Sequence, residues 1–244
     1  MKKFNLAIIA ALSLFANYAS AQSSNEIESF VKSQTITIEE YGHQLLSAPN
    51  AQVLDVRSAS EYAINHIKNA INVDLTDSVA AAKIIAKLDK NAPTFTYSIR
   101  EGRSVILAKK LKELGFKNAY FMPGGIGTWV GAGFPLESTV DPAKATSLEE
   151  YNKLVAAQPL TFVDISSIHC GGCKKLHPIL DELEKKYPNI KILRYEMDEN
   201  LQLVKDLSVQ ALPTLYLYKD GKIVWQHLGT ETKEALEKLF SEQL

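Results

Sequence analysis

Cysteine is scarce in this sequence, since its 244 residues include only Cys170 and Cys173. Twelve glycines and nine prolines are also few. These counts exclude a collagen-like chain and a small protein held together by several disulfides. Neither sign of charge dominates, because 27 basic residues stand against 28 acidic ones and the net charge is −1. The overall charge therefore does not draw the chain to nucleic acid, and we expect no nucleic-acid partner.

Long hydrophobic runs are missing after the N-terminus, so we expect no membrane-spanning helix in the mature chain. At the N-terminus, Lys2 and Lys3 precede an almost wholly apolar stretch over residues 6–15, and Ala-Ser-Ala follows at 19–21. This order is typical of a signal peptide and predicts that residues 1–21 are removed. We therefore expect an exported protein, in the periplasm or alternatively outside the cell, where dithiols meet an oxidising environment.

The mature chain divides into two units. Residues 137–146 (ESTVDPAKAT) show no sustained apolar period and include Pro142. We therefore predict a linker over 139–146 that joins a unit over 30–138 to a unit over 147–244. In both units, apolar β-branched runs alternate with helical patterns, which predicts α/β folds built on mostly parallel sheets.

Local signals place the helices and strands. Ser58 with Glu61, and Ser147 with Glu150, form capping boxes that predict helix starts. The pair at 220–221 (Asp-Gly) predicts a tight hairpin turn. The main predicted helices cover residues 39–46, 81–88, 104–114, 148–157, 170–187, 201–207 and 233–239, and the strands cover 52–56, 94–97, 160–165, 190–197, 214–218 and 222–227.

The two cysteines lie three residues apart, between an apolar strand and an amphipathic helix. Cys170 therefore stands at a helix start, where unpaired N–H groups and the helix dipole stabilise a thiolate. Cys173 lies one turn further on, where it can displace a mixed disulfide formed on Cys170. This placement predicts an exposed nucleophile with a resolving thiol beside it.

Other interpretations of the pair stay open. One is a purely structural disulfide, although a bridge over so short a loop removes little entropy from the unfolded chain. Another is a zinc site, which would need His169 or His177 as further ligands. Covalent haem attachment needs a histidine directly after the second cysteine, and the residue there is Lys174, so this option is excluded. We expect neither a metal nor an organic cofactor.

Residues 160–240 resemble the thioredoxin family through an ordered set of motifs. Val-Asp at 163–164 precedes the dithiol by the family's interval, and KKLHPILDEL at 174–183 matches the active-site helix. Ala-Leu-Pro-Thr at 211–214 matches the loop whose proline is cis in the family. The resemblance implies a thioredoxin fold, a Cys170–Cys173 disulfide in the oxidised form, and thiol–disulfide exchange with protein substrates.

The resemblance also implies a role for each residue of the dithiol centre. Cys170 would attack the substrate sulfur and Cys173 would resolve the mixed disulfide. Asp164, buried beneath Cys173, would carry protons for it, with a pKa raised by the loss of hydration. Arg194 stands where the family usually has a lysine, and it could partner the buried acid.

The substrate-binding residues implied by the resemblance are His169, Leu212 and Pro213. Pro213 would flank the sulfurs, with a cis peptide bond after Leu212, and leave the preceding backbone to pair with a substrate strand. His169 replaces the family's tryptophan, and it would favour the thiolate when protonated; a solvated turn residue is the alternative. The resemblance gives His177 no role.

Residues 35–136 resemble a rhodanese (sulfurtransferase) domain. VLDVR at 53–57 and HIKNAINV at 66–73 match its opening half, and GFPL at 133–136 matches its closing segment. YSIREGRS at 97–104 stands at the family's active-site loop, with Ser98 in place of the cysteine that carries a persulfide. Because serine cannot hold a persulfide, we do not expect this unit to transfer sulfur by itself.

Three hypotheses remain for this first unit. It binds a partner protein or presents the dithiol unit, or it cradles a small oxoanion with Arg100, Arg103 and the N–H groups around Ser98 and Gly102. In the third hypothesis Ser98 acts hydrolytically, although no base is evidently placed to activate it. Glu101 opposes the anion hypothesis because it adds a negative charge to the loop.

The sequence as a whole predicts a two-domain α/β protein, a rhodanese-like domain followed by a thioredoxin fold. Its predicted activity is thiol–disulfide oxidoreduction on protein substrates, with a membrane or soluble redox partner upstream. Two alternatives belong to other classes. One is a scaffold protein with a structural disulfide, and the other is a sulfurtransferase in which the dithiol replaces the missing rhodanese cysteine.

Overall fold

In a computed structural model of the chain, residues 24–34 and 36–244 are described, so the predicted signal peptide and its cleavage site lie outside the described residues. The described residues form two compact units. The first consists of residues up to Ile126 together with Pro135–Ser138. The second consists of Gly127–Phe134 together with Thr139–Leu244.

The first unit is built on a parallel four-stranded sheet in the order β3-β1-β4-β5. In chain order, the elements up to residue 138 are α1 (Ser24–Ser33), α2 (Ile38–Ser47), β1 (Gln52–Asp55), α3 (Ala59–Ile64), β2 (Asn65–His66), β3 (Ile71–Asn72), α4 (Ser78–Ile85), β4 (Thr94–Tyr97), α5 (Glu101–Glu113), β5 (Ala119–Phe121), α6 (Ile126–Gly131) and β6 (Glu137–Ser138). Of these, α6 belongs to the second unit from Gly127 on. Strands β2 and β6 form a separate antiparallel pair.

Buried apolar side chains from the sheet and its helices form the core of this unit. Leu54 of β1 packs in one cluster with Ala82 of α4 and with Leu107 and Leu111 of α5. Helix α1 was not predicted from the sequence. Its apolar side chains nevertheless pack against a second buried cluster of the unit, at Val105, Ala108 and Phe121.

The second unit is built on a mixed four-stranded sheet in the order β10-β9-β7-β8. Its remaining elements are a 3₁₀ turn (Pro142–Lys144), α7 (Leu148–Ala156), β7 (Leu160–Ser166), α8 (Gly171–Lys186), β8 (Lys191–Glu196), a second 3₁₀ turn (Met197–Glu199), α9 (Leu201–Asp206), β9 (Thr214–Lys219), β10 (Lys222–Leu228) and α10 (Lys233–Gln243). Phe162 of β7 packs with Leu176 and Leu180 of α8 and with Phe240 of α10 in the core.

The expectation of mostly parallel sheets holds for the first unit and is wrong for the second. There, β7 and β8 pair in parallel, but β9 runs antiparallel to both β7 and β10. The predicted Asp220-Gly221 turn supplies part of the reason. Both residues have positive φ, 49° and 72°, and so tight a turn can join β9 to β10 only as an antiparallel hairpin.

Two predicted helices of the first unit begin earlier than expected. Helix α4 starts at Ser78 because the side chain of Asp77 accepts a hydrogen bond from the Ala80 N–H and caps it. Helix α5 starts at Glu101, after Arg100, whose side chain makes no capping hydrogen bond. A start without a capping side chain gives no signal in the sequence.

Candidate active site

The two cysteines lie at the start of α8, where Cys170 is the N-cap residue. Its sulfur accepts a hydrogen bond from the Cys173 N–H at 3.3 Å and donates one to the Leu212 carbonyl at 3.7 Å. An N–H donor at a helix start stabilises negative charge on the sulfur that accepts from it. Both cysteines are in the thiol form in this structure.

The prediction that Cys170 is exposed is wrong for this conformation. Cys170 and Cys173 both have 0% of their surface exposed. The sulfur of Cys170 turns inward, to the Cys173 N–H and the Leu212 carbonyl, rather than outward from the loop. Exchange with a protein disulfide therefore requires this sulfur to become accessible first.

The Cys173 thiol ionises reluctantly. The hydrogen bond with Cys170 raises the pKa of the Cys173 thiol well above its usual range, and burial adds to this effect. The negative charge of Asp164 acts in the same direction, while the backbone hydrogen bond from Ser167 opposes it. Cys173 consequently stays protonated until a base removes its proton, as a resolving thiol requires.

Asp164 lies in the middle of β7 and is fully buried. Its Oδ2 accepts a hydrogen bond from the Ser166 hydroxyl at 3.1 Å and lies 3.3 Å from Nε2 of His177. Its Oδ1 has no hydrogen-bond partner among the described residues. Oδ1 is thus the oxygen on which this carboxylate can accept a proton.

His177, for which the sequence analysis found no role, belongs to this site. Its Nε2 lies 3.1 Å from the Ser166 hydroxyl as well as close to Asp164. The hydrogen bond with Asp164 raises the pKa of His177, and partial burial opposes the rise. The signal was present in the spacing: 164 and 166 share one face of a strand, and 173 and 177 share one face of the following helix.

Arg194 does not partner the buried acid, so the expectation drawn from the family's lysine is wrong. Arg194 pairs with Asp164 in the β7–β8 register, but its guanidinium contacts Asp181 at 2.9 Å and Glu184 at 3.3 Å on α8. Burying a guanidinium costs more free energy than leaving it in contact with water. These two partly exposed carboxylates therefore hold Arg194 near the surface.

Glu196, at the end of β8, holds the loop that leads to the dithiol. Its Oε2 accepts a hydrogen bond from the Ile168 N–H at 2.9 Å. Burial raises the pKa of Glu196 to about 7, with that N–H acting against the rise and the charge of Asp198 adding to it. A partly buried carboxyl group with a pKa near 7 thus contacts the loop at residues 167 and 168. No feature of the sequence indicated it.

Of the predicted substrate-binding residues, Leu212 contacts the Cys170 sulfur through its carbonyl. The Leu212–Pro213 peptide bond is cis, and Leu212 is buried. The loop before it packs against residues 127–134 of the same unit, where Thr128 donates a hydrogen bond to the Gln210 carbonyl at 2.7 Å. His169 is half-buried, and its backbone N–H donates to the Ser167 hydroxyl at 3.1 Å.

The Ser98 loop of the first unit has most of its charge engaged by its own neighbours. Arg103 makes two hydrogen bonds to Glu61, at 3.0 and 3.2 Å, while the Glu101 carboxylate accepts from the Gly124 N–H at 2.8 Å. Burial acts to raise the pKa of Glu61, but the bonds from Arg103 and Ser58 outweigh it and lower the pKa.

Two other predicted residues of this loop have little around them. Arg100 is exposed, and a Cβ added to Gly102 would meet nothing within 4 Å. The Ser98 hydroxyl is buried and has no hydrogen-bond partner among the described residues. Among the residues that the structure describes, Arg100 is the one cation of this loop without a salt bridge. The loop thus offers an oxoanion a single unpaired cation instead of the two predicted, which weakens the oxoanion hypothesis.

Within 24–34 and 36–244, no three His, Cys, Asp or Glu residues are grouped so that they could hold a metal ion. His177, one of the two candidate zinc ligands, is turned to Asp164 instead.

No helix in the described part of the chain is long and apolar enough to cross a membrane.

Comparison with known proteins divides the chain in the same way. The family model "Rhodanese-like domain" matches residues 39–132, and the family model "Thioredoxin" matches residues 142–242. Thioredoxin of Chlamydia trachomatis is 38% identical over 85 residues, which are 35% of this chain and 83% of the relative. Mitochondrial thioredoxin-3 of Saccharomyces cerevisiae is 33% identical over 95 residues, 39% of this chain and 74% of the relative. The solved structure of that yeast protein's oxidised form covers 40% of this chain and 91% of its own, with 31% identity and a TM-score of 0.37.

Proposed function

This chain belongs to the thioredoxin family and is a thiol–disulfide oxidoreductase with a rhodanese-like domain, and we propose that it is exported and works through its Cys170–Cys173 pair. The observation that carries the assignment to this pair is the environment of the Cys170 sulfur. It accepts the Cys173 N–H at a helix start and lies 3.7 Å from the carbonyl that precedes the cis proline.

In the proposed reaction, the Cys170 thiolate attacks one sulfur of a substrate disulfide. The new Cys170–substrate bond forms as the substrate S–S bond breaks, and the other substrate sulfur leaves as a thiolate. Cys173 then loses its proton to Asp164 and attacks Cys170, which releases the second substrate thiolate. The pair gives up two electrons and becomes a disulfide, while the substrate disulfide becomes two thiols.

Export rests on the N-terminal sequence. Lys2, Lys3, the apolar stretch over 6–15 and the Ala-Ser-Ala at 19–21 support a cleavable signal peptide and a periplasmic location. Expression of the full chain in a Gram-negative host, followed by osmotic shock, tests this proposal. The mass of the released protein is expected to match a chain that begins at Gln22. A full-length protein found in the cytoplasm would contradict export.

In the oxidising periplasm the pair needs a redox partner to complete its cycle. We propose a membrane or soluble reductase if the pair reduces substrates, and a reoxidising protein if it oxidises them. The reduction potential of the pair decides between these directions. A value near about −270 mV indicates a reductant, and one near about −120 mV indicates an oxidant.

Insulin reduction by the full mature chain, with dithiothreitol as the electron source, tests the assignment to the pair. We expect activity from the wild type, none above background from Cys170→Ser, and a trapped Cys170–insulin mixed disulfide with Cys173→Ser. A matched control is Ser98→Ala, which changes a buried hydroxyl of the rhodanese-like domain and should leave the activity unchanged. Equal turnover by wild type and Cys170→Ser would contradict the proposal.

Alkylation provides a second readout, because it tests whether the Cys170 sulfur, which is buried in this conformation, becomes accessible in solution. In the folded, reduced protein at pH 7, iodoacetamide is expected to modify Cys170 much faster than Cys173. If both thiols stay unmodified in the folded chain, the pair is inaccessible, and a binding protein with a structural dithiol becomes the better description.

A further inference from the structure

A histidine stands between solvent and the buried acid of the dithiol centre. Asp164 is 0% exposed, whereas 31% of the His177 side chain is exposed. Nε2 of His177 lies 3.3 Å from Asp164 Oδ2, and the Ser166 hydroxyl lies within 3.1 Å of both groups. Among the described residues, His177 is the only basic side chain in a salt bridge with Asp164.

We propose that His177 is a positioning residue that holds Asp164 in its ionised form and so prepares it to take the proton of Cys173. This inference rests on the proposed function of the Cys170–Cys173 pair. A carboxyl group buried without a cation favours its neutral form, because burial removes the hydration of the charge. A neutral Asp164 cannot accept a proton, and Cys173, which ionises reluctantly, could then not resolve the mixed disulfide.

The geometry assigns the two carboxylate oxygens of Asp164 to different tasks. Oδ2 receives both the Ser166 hydroxyl and the His177 imidazole. Oδ1 accepts no hydrogen bond within the described part of the chain. The proton of the Cys173 thiol therefore goes to Oδ1, while the imidazolium on Oδ2 balances the negative charge until the transfer takes place.

The other charged groups around His177 oppose each other. From β8, Glu196 favours the protonated imidazole and Arg194 disfavours it. Arg194 is itself paired with Asp181 and Glu184 of α8. Asp164 from β7 is consequently the dominant influence on His177.

The test compares His177→Gln with the wild type as full mature chains. Glutamine can still hydrogen-bond to Oδ2 but carries no charge, so the Asp164 carboxylate loses the cation that balances it. We expect the acidic limb of the kcat/KM profile for insulin reduction to move up by about one pH unit, which is about tenfold at pH 5.5. At pH 8.5 the two proteins should agree within about twofold.

Lys175→Gln is the matched control, because it removes a positive charge from an exposed position of the same helix. Its pH profile should coincide with that of the wild type. An acidic limb that stays in place in His177→Gln, or that moves equally in Lys175→Gln, would overturn the proposal.

An NMR titration separates this inference from the proposed function. The imidazole ¹⁵N signals of His177 should titrate above pH 6.5 in the wild type and move down in Asp164→Asn. If His177 titrates in this way but insulin is not reduced by the wild type, the proposed function fails and the charge pairing stands. If His177 titrates identically in wild type and Asp164→Asn, the charge pairing fails whatever the activity.

Discussion

Replacing Glu196 with glutamine is expected to stabilise the protein in alkaline solution and to leave its stability almost unchanged in acid. Burial raises the pKa of this carboxyl group from 4.5 to about 7 in the folded chain, so the fold favours the protonated form. The stability that this preference contributes is complete below the unfolded pKa and is lost as the pH rises through the folded pKa. Glutamine resembles the protonated acid and has nothing to lose over this range.

The size of the effect follows from the pKa change. A rise from 4.5 to about 7 corresponds to at most about 3.5 kcal/mol, at about 1.4 kcal/mol for each tenfold change in proton affinity. Glu196 is partly open to solvent, and screening by water reduces this figure to about 1–2 kcal/mol. The amide oxygen of glutamine can still accept the Ile168 N–H, so the hydrogen bond to the loop is retained.

Urea denaturation at pH 5 and at pH 8.5 measures the effect. Fluorescence reports on the second unit, because both tryptophans, Trp129 and Trp225, belong to it. The free energy of unfolding of Glu196→Gln minus that of the wild type should increase by about 1–2 kcal/mol between the two pH values. Glu199→Gln, at an exposed carboxylate nearby, should show no such increase. A difference between Glu196→Gln and wild type that does not depend on pH would refute the reasoning.

Two further predictions concern the first unit. Arg57→Met removes the cation that contacts the buried Asp55 at 2.7 Å and should lower the free energy of unfolding by about 3–5 kcal/mol. Lys32→Met, at an exposed pair of the same unit, should cost less than about 1 kcal/mol, and equal losses in urea denaturation would contradict this. Gly125 has a φ of +86°, and Gly125→Ala places a Cβ 2.5 Å from the Ile99 carbonyl oxygen. This variant should destabilise the Ser98 loop by at least about 1 kcal/mol. Gly102→Ala adds a Cβ in open space on a helix and should stabilise the protein by up to about 1 kcal/mol. Thermal melts that rank these two glycine variants in the opposite order would contradict the second prediction.

Local sequence signals predicted most elements of the two units closely. Strand β4 occupies residues 94–97 as predicted, and the helix after Ser147 covers 148–156 where 148–157 was expected. Such elements are fixed by apolar periodicity, caps and turns, all of which lie within a few residues of each other. Helix α1 was missed because its stability comes from packing on residues 105, 108 and 121, which are distant in the sequence.

The chemistry of the centre was predictable to a similar degree. The spacing of Cys170 and Cys173 after a strand indicated a dithiol at a helix start, and the structure places Asp164, Leu212 and the cis Pro213 around it. Family membership, and with it the general activity, follows from the same ordered motifs. The missing cysteine at position 98 likewise argued from sequence alone against sulfur transfer by the first unit.

The ability to form and break disulfides depends on residue type and local spacing. The sequence by itself therefore determined that this chain exchanges thiols and disulfides. Only the tertiary structure decided which charges meet. It pairs Asp164 with His177 rather than with Arg194 and buries the Cys170 sulfur. It also places Glu196 where burial raises the pKa of its carboxyl group to about 7. The physical reason is that hydration and ion pairing depend on which faces of β7, β8 and α8 pack together, and on how little water remains between them.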